Sequence, residues 1–237
     1  AYRGGILEVS GSLQIVGGGT LDNQNGVMHR VSIWLGTEMI MQLNVSDSGQ
    51  YNGTYTLPDN NDVGEFNITA IFEETDWYLG TTENNTFIVA GTTTFVDVNV
   101  EGDWFNSDLR RGGTINIYGI LVDDLGNRIN GNISVSIGNA ELDTSFTNDT
   151  TFISTGTIPE DYRNNHTVKL AYLGSEYLDG TQYKSKHSIL VESIIRFDFE
   201  PQNVFPGDNV NVSIWLEEDD GSPIPGSEIS VNVNLFY

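Results

Sequence analysis

Apolar side chains recur at every second position through most of the chain. Ile115, Ile117 and Leu121 alternate with Thr114, Asn116 and Tyr118, and Val210, Val212, Ile214 and Leu216 alternate with Asn209, Asn211, Ser213 and Glu217. The same period runs through Val31/Ile33/Leu35, Phe66/Ile68/Ala70/Phe72 and Val168/Leu170/Tyr172. A period of two sets one side of an extended segment against a core and the other in water, so these segments are predicted as half-buried strands. Turn clusters such as Ser46-Asp47-Ser48-Gly49 and Pro58-Asp59-Asn60-Asn61-Asp62 separate them, and no stretch of helical length is amphipathic. Many short antiparallel strands joined by tight turns predict an all-β fold of two-sheet sandwiches.

The pattern also repeats at long range. At an offset of 95, Gly112, Gly126, Ile129 and Gly131 fall on Gly207, Gly221, Ile224 and Gly226; at an offset of 100, Ile68, Ala70, Phe72, Trp77 and Gly80 fall on Val168, Leu170, Tyr172, Tyr177 and Gly180. Leu7, Val9, Gly11 and Leu13 align with Ile115, Ile117, Gly119 and Leu121. Such self-similarity marks a tandem array. It predicts a first sandwich over 1–91 that lacks its leading strand, a complete one over 92–194 and a partial one over 195–237. The short joints favour a semi-rigid rod. The incomplete first and last units suggest a window cut from a longer array, with open edges where a strand is donated between subunits.

The segment Val122-Asp-Asp-Leu-Gly-Asn-Arg-Ile-Asn-Gly131, followed by alternating Ile133/Val135/Ile137, resembles the hairpin of prokaryotic, archaeal or bacterial, immunoglobulin-like surface domains. Glu218-Asp-Asp-Gly-Ser-Pro-Ile-Pro-Gly226 fits that pattern better, and the Tyr78-Leu-Gly-Thr81 and Tyr177-Leu-Asp-Gly-Thr181 endings look like the last third of such domains. The resemblance implies tandem immunoglobulin-like β-sandwiches in extracellular stalks, adhesins, filaments or accessory modules of secreted enzymes. The first unit departs from it, with Gly17–Gly26 where the hairpin belongs.

Charge and composition narrow the chemistry. With 10 Lys+Arg against 33 Asp+Glu the net charge is −23, which excludes the basic face a nucleic-acid binder needs. There is no cysteine, so disulfides and thiolate chemistry are excluded, and no apolar run is long enough for insertion in a membrane. The chain begins without Met and without a basic-then-apolar leader, as expected of a processed or excised piece. Eight Asn-x-Ser/Thr sequons, at Asn44, Asn52, Asn67, Asn84, Asn132, Asn148, Asn165 and Asn211, lie in turns or on outward strand positions and are candidate glycosylation sites. Asp123, Asp124, Asp219 and Asp220 sit in turns, where convergent oxygens are candidates for Ca²⁺, without an EF-hand spacing. The three histidines are scattered, and no nucleophile elbow or paired-carboxylate cleft is evident, so no enzyme activity and no resident cofactor are expected. Trp34 and Trp215 take outward slots, available to a neighbouring domain or a sugar.

The expected function is an extracellular structural or adhesive rod in a cell-surface or filament-forming glycoprotein, with further repeats, neighbouring copies or surface glycans as partners. A carbohydrate-binding or spacer module of a secreted hydrolase and a Ca²⁺-rigidified adhesin are the alternatives.

Overall fold

The computed structural model describes residues 1–17, 28–103, 105–146, 150–200, 209–226 and 229. The regular secondary structure of the described residues is almost entirely strand. The first set comprises β1 (Ile6–Ser12), β2 (Arg30–Leu35), β3 (Glu38–Asn44), β4 (Gln50–Thr56), β5 (Gly64–Phe72) and β6 (Thr81–Val89); β1 pairs with β4, and the others form a sheet in the order β3-β2-β5-β6. The second set comprises β7 (Thr93–Gly102), β8 (Leu109–Arg110), β9 (Thr114–Asp123), β10 (Ile133–Ile137), β11 (Ala140–Phe146), β12 (Thr151–Thr157), β13 (Asn164–Gly174) and β14 (Asp179–Leu190), in the order β7-β9-β12-β11-β10-β13-β14-β8. Strand β11 pairs with β10 through Ala140–Leu142 and with β12 through Asp143–Phe146, so the ladder folds there into two facing layers. The last set is the antiparallel pair β15 (Ser193–Glu200) and β16 (Asn211–Glu218).

Between the layers of the second set lies one apolar core. Ile115, Ile117 and Leu121 from β9 and Phe152 from β12 meet Val135 and Ile137 from β10 and Val168 and Leu170 from β13, all essentially removed from water. Burial of that area is the main favourable term in folding. Strand β8 pairs in parallel with the end of β14, and β7 pairs antiparallel with β9, so both open edges are covered. The architecture is that of tandem immunoglobulin-like β-sandwiches.

The sequence repeats reappear as repeated registers. Gly11 sits opposite Tyr51 as Gly119 sits opposite Phe152. Phe72 pairs with Thr81 as Tyr172 pairs with Thr181, and Phe95 pairs with Leu121 as Ile195 pairs with Leu216. At Gly11 and Gly119 an aromatic ring from the neighbouring strand lies over the backbone; a Cβ built there would stand 2.2 Å from the Tyr51 hydroxyl and 2.9 Å from Phe152 Cζ.

In the first sandwich Ala1–Arg3 pairs with the end of β6, through Ala1 N to Ile88 O, Ala90 N to Ala1 O and Arg3 N to Ala90 O, as β8 pairs with β14. The counterpart of β7 is what the described residues of the first sandwich lack. Its consequence is visible in burial: Ile115, Ile117 and Leu121 are fully buried under β7, whereas Leu7, Val9 and Leu13, at the same registers, are only half-buried.

Candidate functional site at the junctions between sandwiches

Two junctions are built alike. In Arg3-Gly4-Gly5 and Arg111-Gly112-Gly113 the chain leaves the edge pairing and turns sharply into the next strand. Gly4 (φ 67°) and Gly112 (φ 69°) take a left-handed conformation that side chains resist. The Gly5 amide donates to Tyr2 O, and that of Gly113 to Arg110 O, each at 3.0 Å. The left-handed backbone is what favours glycine at both positions, since a Cβ would meet only the movable carboxylate ends of Asp59 at Gly4 and of Glu160 at Gly112. The turn leaves the preceding arginine projecting across to the following unit.

Each arginine meets an acidic hairpin turn. Arg3, its side chain only 5% exposed, reaches Asp123 Oδ2 at 3.2 Å and Asp124 Oδ1 at 2.6 Å, while its Nε donates to Asn61 O at 2.7 Å. Arg111, 1% exposed, reaches Glu218 Oε2 at 3.0 Å and Asp220 Oδ2 at 3.2 Å and also contacts Asp219. Buried charges persist only when paired and hydrogen-bonded, and a guanidinium fork fits several carboxylates at once. Exposed Arg163 adds ion pairs to Glu218 and Asp220 at 3.0 and 2.8 Å, and Arg110 bonds Glu192 at 2.5 Å.

The acidic turns are also held by bonds of their own. Asp123 Oδ1 accepts from the Leu125 and Asn127 amides at 3.0 and 2.8 Å, and Oδ2 accepts from Asn127 Nδ2 at 3.1 Å. Burial works against its charge, but these bonds, with the Arg3 guanidinium, hold the carboxyl below its usual range. Left-handed Gly126 and Gly221 close the two turns, whose amides at Asp124 and Asp219 donate back to Thr92 O and Glu192 O in the joints, each at 3.0 Å. In the first joint, buried Gly91 exchanges backbone bonds with Tyr177 and Asp179, and the Tyr2 hydroxyl donates to Asp179 at 2.5 Å.

Asp220 accepts from the Ser222 amide, and that bond, with its side-chain partner and the Arg111 and Arg163 charges, lowers its pKa to about 2. The folded junction therefore favours the carboxylate. The stabilisation is fully present above the ordinary 3.8 and is lost as pH falls toward about 2. Amide exchange of β15 and β16 is expected to accelerate across that window, before exchange in β9–β14 does; simultaneous acceleration of both would refute the coupling.

Of the four Ca²⁺ candidates, Asp123 and Asp124 lie against Arg3, and Asp219 and Asp220 lie against Arg111. Among the described residues no three His, Cys, Asp or Glu side chains converge as a metal site. Seven of the sequon asparagines, Asn44, Asn52, Asn67, Asn84, Asn132, Asn165 and Asn211, are exposed; Asn148 lies outside the described residues. Two sequons interlock across β5 and β6, with Asn67 opposite Thr86 and Thr69 opposite Asn84.

The two tryptophans expected in outward slots differ in exposure. Trp34 is half-buried, Trp215 is exposed and donates its indole N–H to Glu217 at 2.8 Å, and Trp77, in the β5–β6 turn, is exposed further still, at 79%. Trp104 lies outside the described residues. His166 stacks on Tyr162 at 3.9 Å at the rim of its sandwich. Ser185 and His187 are 2.8 Å apart on one face of β14, where burial lowers the imidazole pKa. Among the described residues no helix is long and apolar enough to cross a membrane.

No family model matches the chain, and no curated protein matches it in sequence. Among solved structures, the titin domains Z1Z2 in complex with telethonin are similar at 13% identity and a TM-score of 0.28, over 80% of this chain and 90% of that one. Domains 1–6 of the surface layer protein SbsC are similar at 12% identity and a TM-score of 0.31, over 82% of this chain and 24% of theirs. An endo-fucoidan hydrolase of glycoside hydrolase family 107 is similar at 12% identity and a TM-score of 0.29, over 80% of this chain and 27% of its own. Folds of this kind host unrelated functions.

Proposed function

We propose that the chain is a load-bearing rod of tandem immunoglobulin-like sandwiches, over 1–91, 92–194 and 195–237, in an extracellular cell-surface or filament-forming glycoprotein. The observation that carries this reading is the repeated junction: at both joints a buried arginine from one unit is seated on the acidic turn of the next. Joints made by short linkers alone leave domains free to move. A buried, multiply bonded ion pair instead fixes one relative orientation, because leaving it strands a charge. The acidic surface keeps such a rod soluble and the exposed sequons are acceptors for glycans, which fits the outside of a cell. Its partners in this reading are further repeats and neighbouring copies, with surface glycans as the ligand class of an adhesive tip.

Small-angle scattering of the intact chain tests the mechanical claim. The expected result is one elongated shape at moderate ionic strength, unchanged on adding a Ca²⁺ chelator. A broad distribution of bent shapes, or stiffness that vanishes on chelation, would overturn it. Glycopeptide mass spectrometry of native material tests the location, with sugars expected on Asn67, Asn132 and Asn211.

A further inference from the structure

The first sandwich has a groove where the second has a strand. In the second, β7 lies antiparallel on β9, and its Phe95 ring meets Phe152 edge-on at 5.8 Å. The same place in the first sandwich is open among the described residues. A cavity of about 290 Å³ runs between β1 and β6 over Leu7, Val9, Ile33 and Ile68, and a neighbouring one of about 430 Å³, sharing Tyr51 and Glu83, continues it toward Leu13. These floor residues correspond to core positions of the second sandwich, so an apolar strand is the complement the groove's own repeat specifies.

The groove differs from its counterpart in charge. Glu83 stands where Tyr183 packs against the second core, and its carboxylate, after burial, is the second cause that raises the Tyr51 pKa. Glu8 stands on β1 where Asn116 stands on β9. The leading strands this chain carries are poor matches. In its own register β15 sets Glu200 opposite the counterpart of Glu8, and β7 sets Glu101 there. Two copies would also bring together net charges of −23. The stretch 18–27 lacks apolar alternation and carries Asp22.

We propose that this groove is an acceptor for an extended segment of a different polypeptide, apolar at alternate positions and basic opposite Glu8 and Glu83. The added strand pairs along the outer edge of β1, buries Leu7, Val9 and Tyr51, and neutralises the two carboxylates. The reading does not depend on the rod: it rests on the first sandwich alone.

The test uses the intact chain and three synthetic peptides: Ser193–Glu200 as it stands, the same peptide with lysine for Asp198 and Glu200, and a scrambled form of the latter. The lysine peptide is expected to protect the Leu7–Ser12 amides from exchange and to bind about tenfold more tightly than the unaltered one. That preference should collapse in a Glu8→Gln/Glu83→Gln double variant with its fold intact by circular dichroism. Tighter or equal binding of the unaltered peptide would make a second copy the occupant and overturn the proposal. So would equal binding of the scrambled peptide, or no protection of β1 by any of the three.

Discussion

Arg111→Met is expected to detach the β15–β16 pair from the second sandwich while leaving that sandwich folded. The guanidinium is 1% exposed and serves Glu218, Asp219 and Asp220 together. Removing one partner of a buried ion pair costs roughly 3–5 kcal/mol, chiefly because the remaining charges stay desolvated and unpaired. Here the loss belongs at the lower end, about 3 kcal/mol, since Arg163 still holds two of the carboxylates. A two-stranded sheet is marginal alone, so this anchor decides whether β15 and β16 stay ordered. Their amide protection should fall about a hundredfold, with β9–β14 unaffected. Arg111→Lys should rescue only partly, because an ammonium presents no planar fork. Arg163→Ala, at an exposed pair, should cost under about 1 kcal/mol. If Arg111→Met and Arg163→Ala lower protection equally, the buried arginine is not the anchor.

The clasp is legible in the long-range repeat and not in local spacing, for a physical reason. The alignment of Leu7 with Ile115 extends four residues toward the N-terminus, where Arg3-Gly4-Gly5 falls on Arg111-Gly112-Gly113. The acidic partners are 120 positions from Arg3 and 108 from Arg111. Local spacing, which is how a cation site is sought, therefore shows the acids without their counter-charges and points to Ca²⁺. The same repeat shows where the device stops. Ile15 and Val16 occupy the slots of Asp123 and Asp124, and Pro206 occupies that of Arg111. The joints within the block are charge-locked, while its outward faces carry other chemistry: Val16 and Trp77 expose apolar surface at the end where the second sandwich presents its acids.

Strands were legible because a period of two has few alternative explanations, and registers followed because glycine and aromatic positions recur in pairs. Burial was less so. The alternation predicts that Leu7, Val9 and Leu13 face a core, and they do, yet whether that core is closed depends on a strand from elsewhere in the fold. Val212 likewise alternates like a core residue and is 48% exposed on the β15–β16 pair. Periodicity reports which side of a strand is apolar, not what covers it.

Comparing Phe152→Ala with Tyr51→Ala should measure what the covering strand contributes. The two rings take equivalent places, each lying over a glycine of the adjacent strand, but Phe152 is fully buried between Gly119 and β7 while Tyr51 is half-exposed. Truncating a buried Phe removes its transfer energy and leaves a cavity the rigid layers cannot close, so about 4 kcal/mol is expected in the second sandwich. For a domain of this size each kcal/mol lowers the melting point by roughly 4–8 °C. Tyr51→Ala enlarges a groove that is already open, and should cost about 1–2 kcal/mol for the area it does bury. Phe95→Ala should move the second sandwich toward the first, since the T-shaped contact and the cover over Phe152 go together. If calorimetry gives equal losses for Phe152→Ala and Tyr51→Ala, the groove between β1 and β6 is closed in solution, and the difference in burial between the two sandwiches carries no free energy.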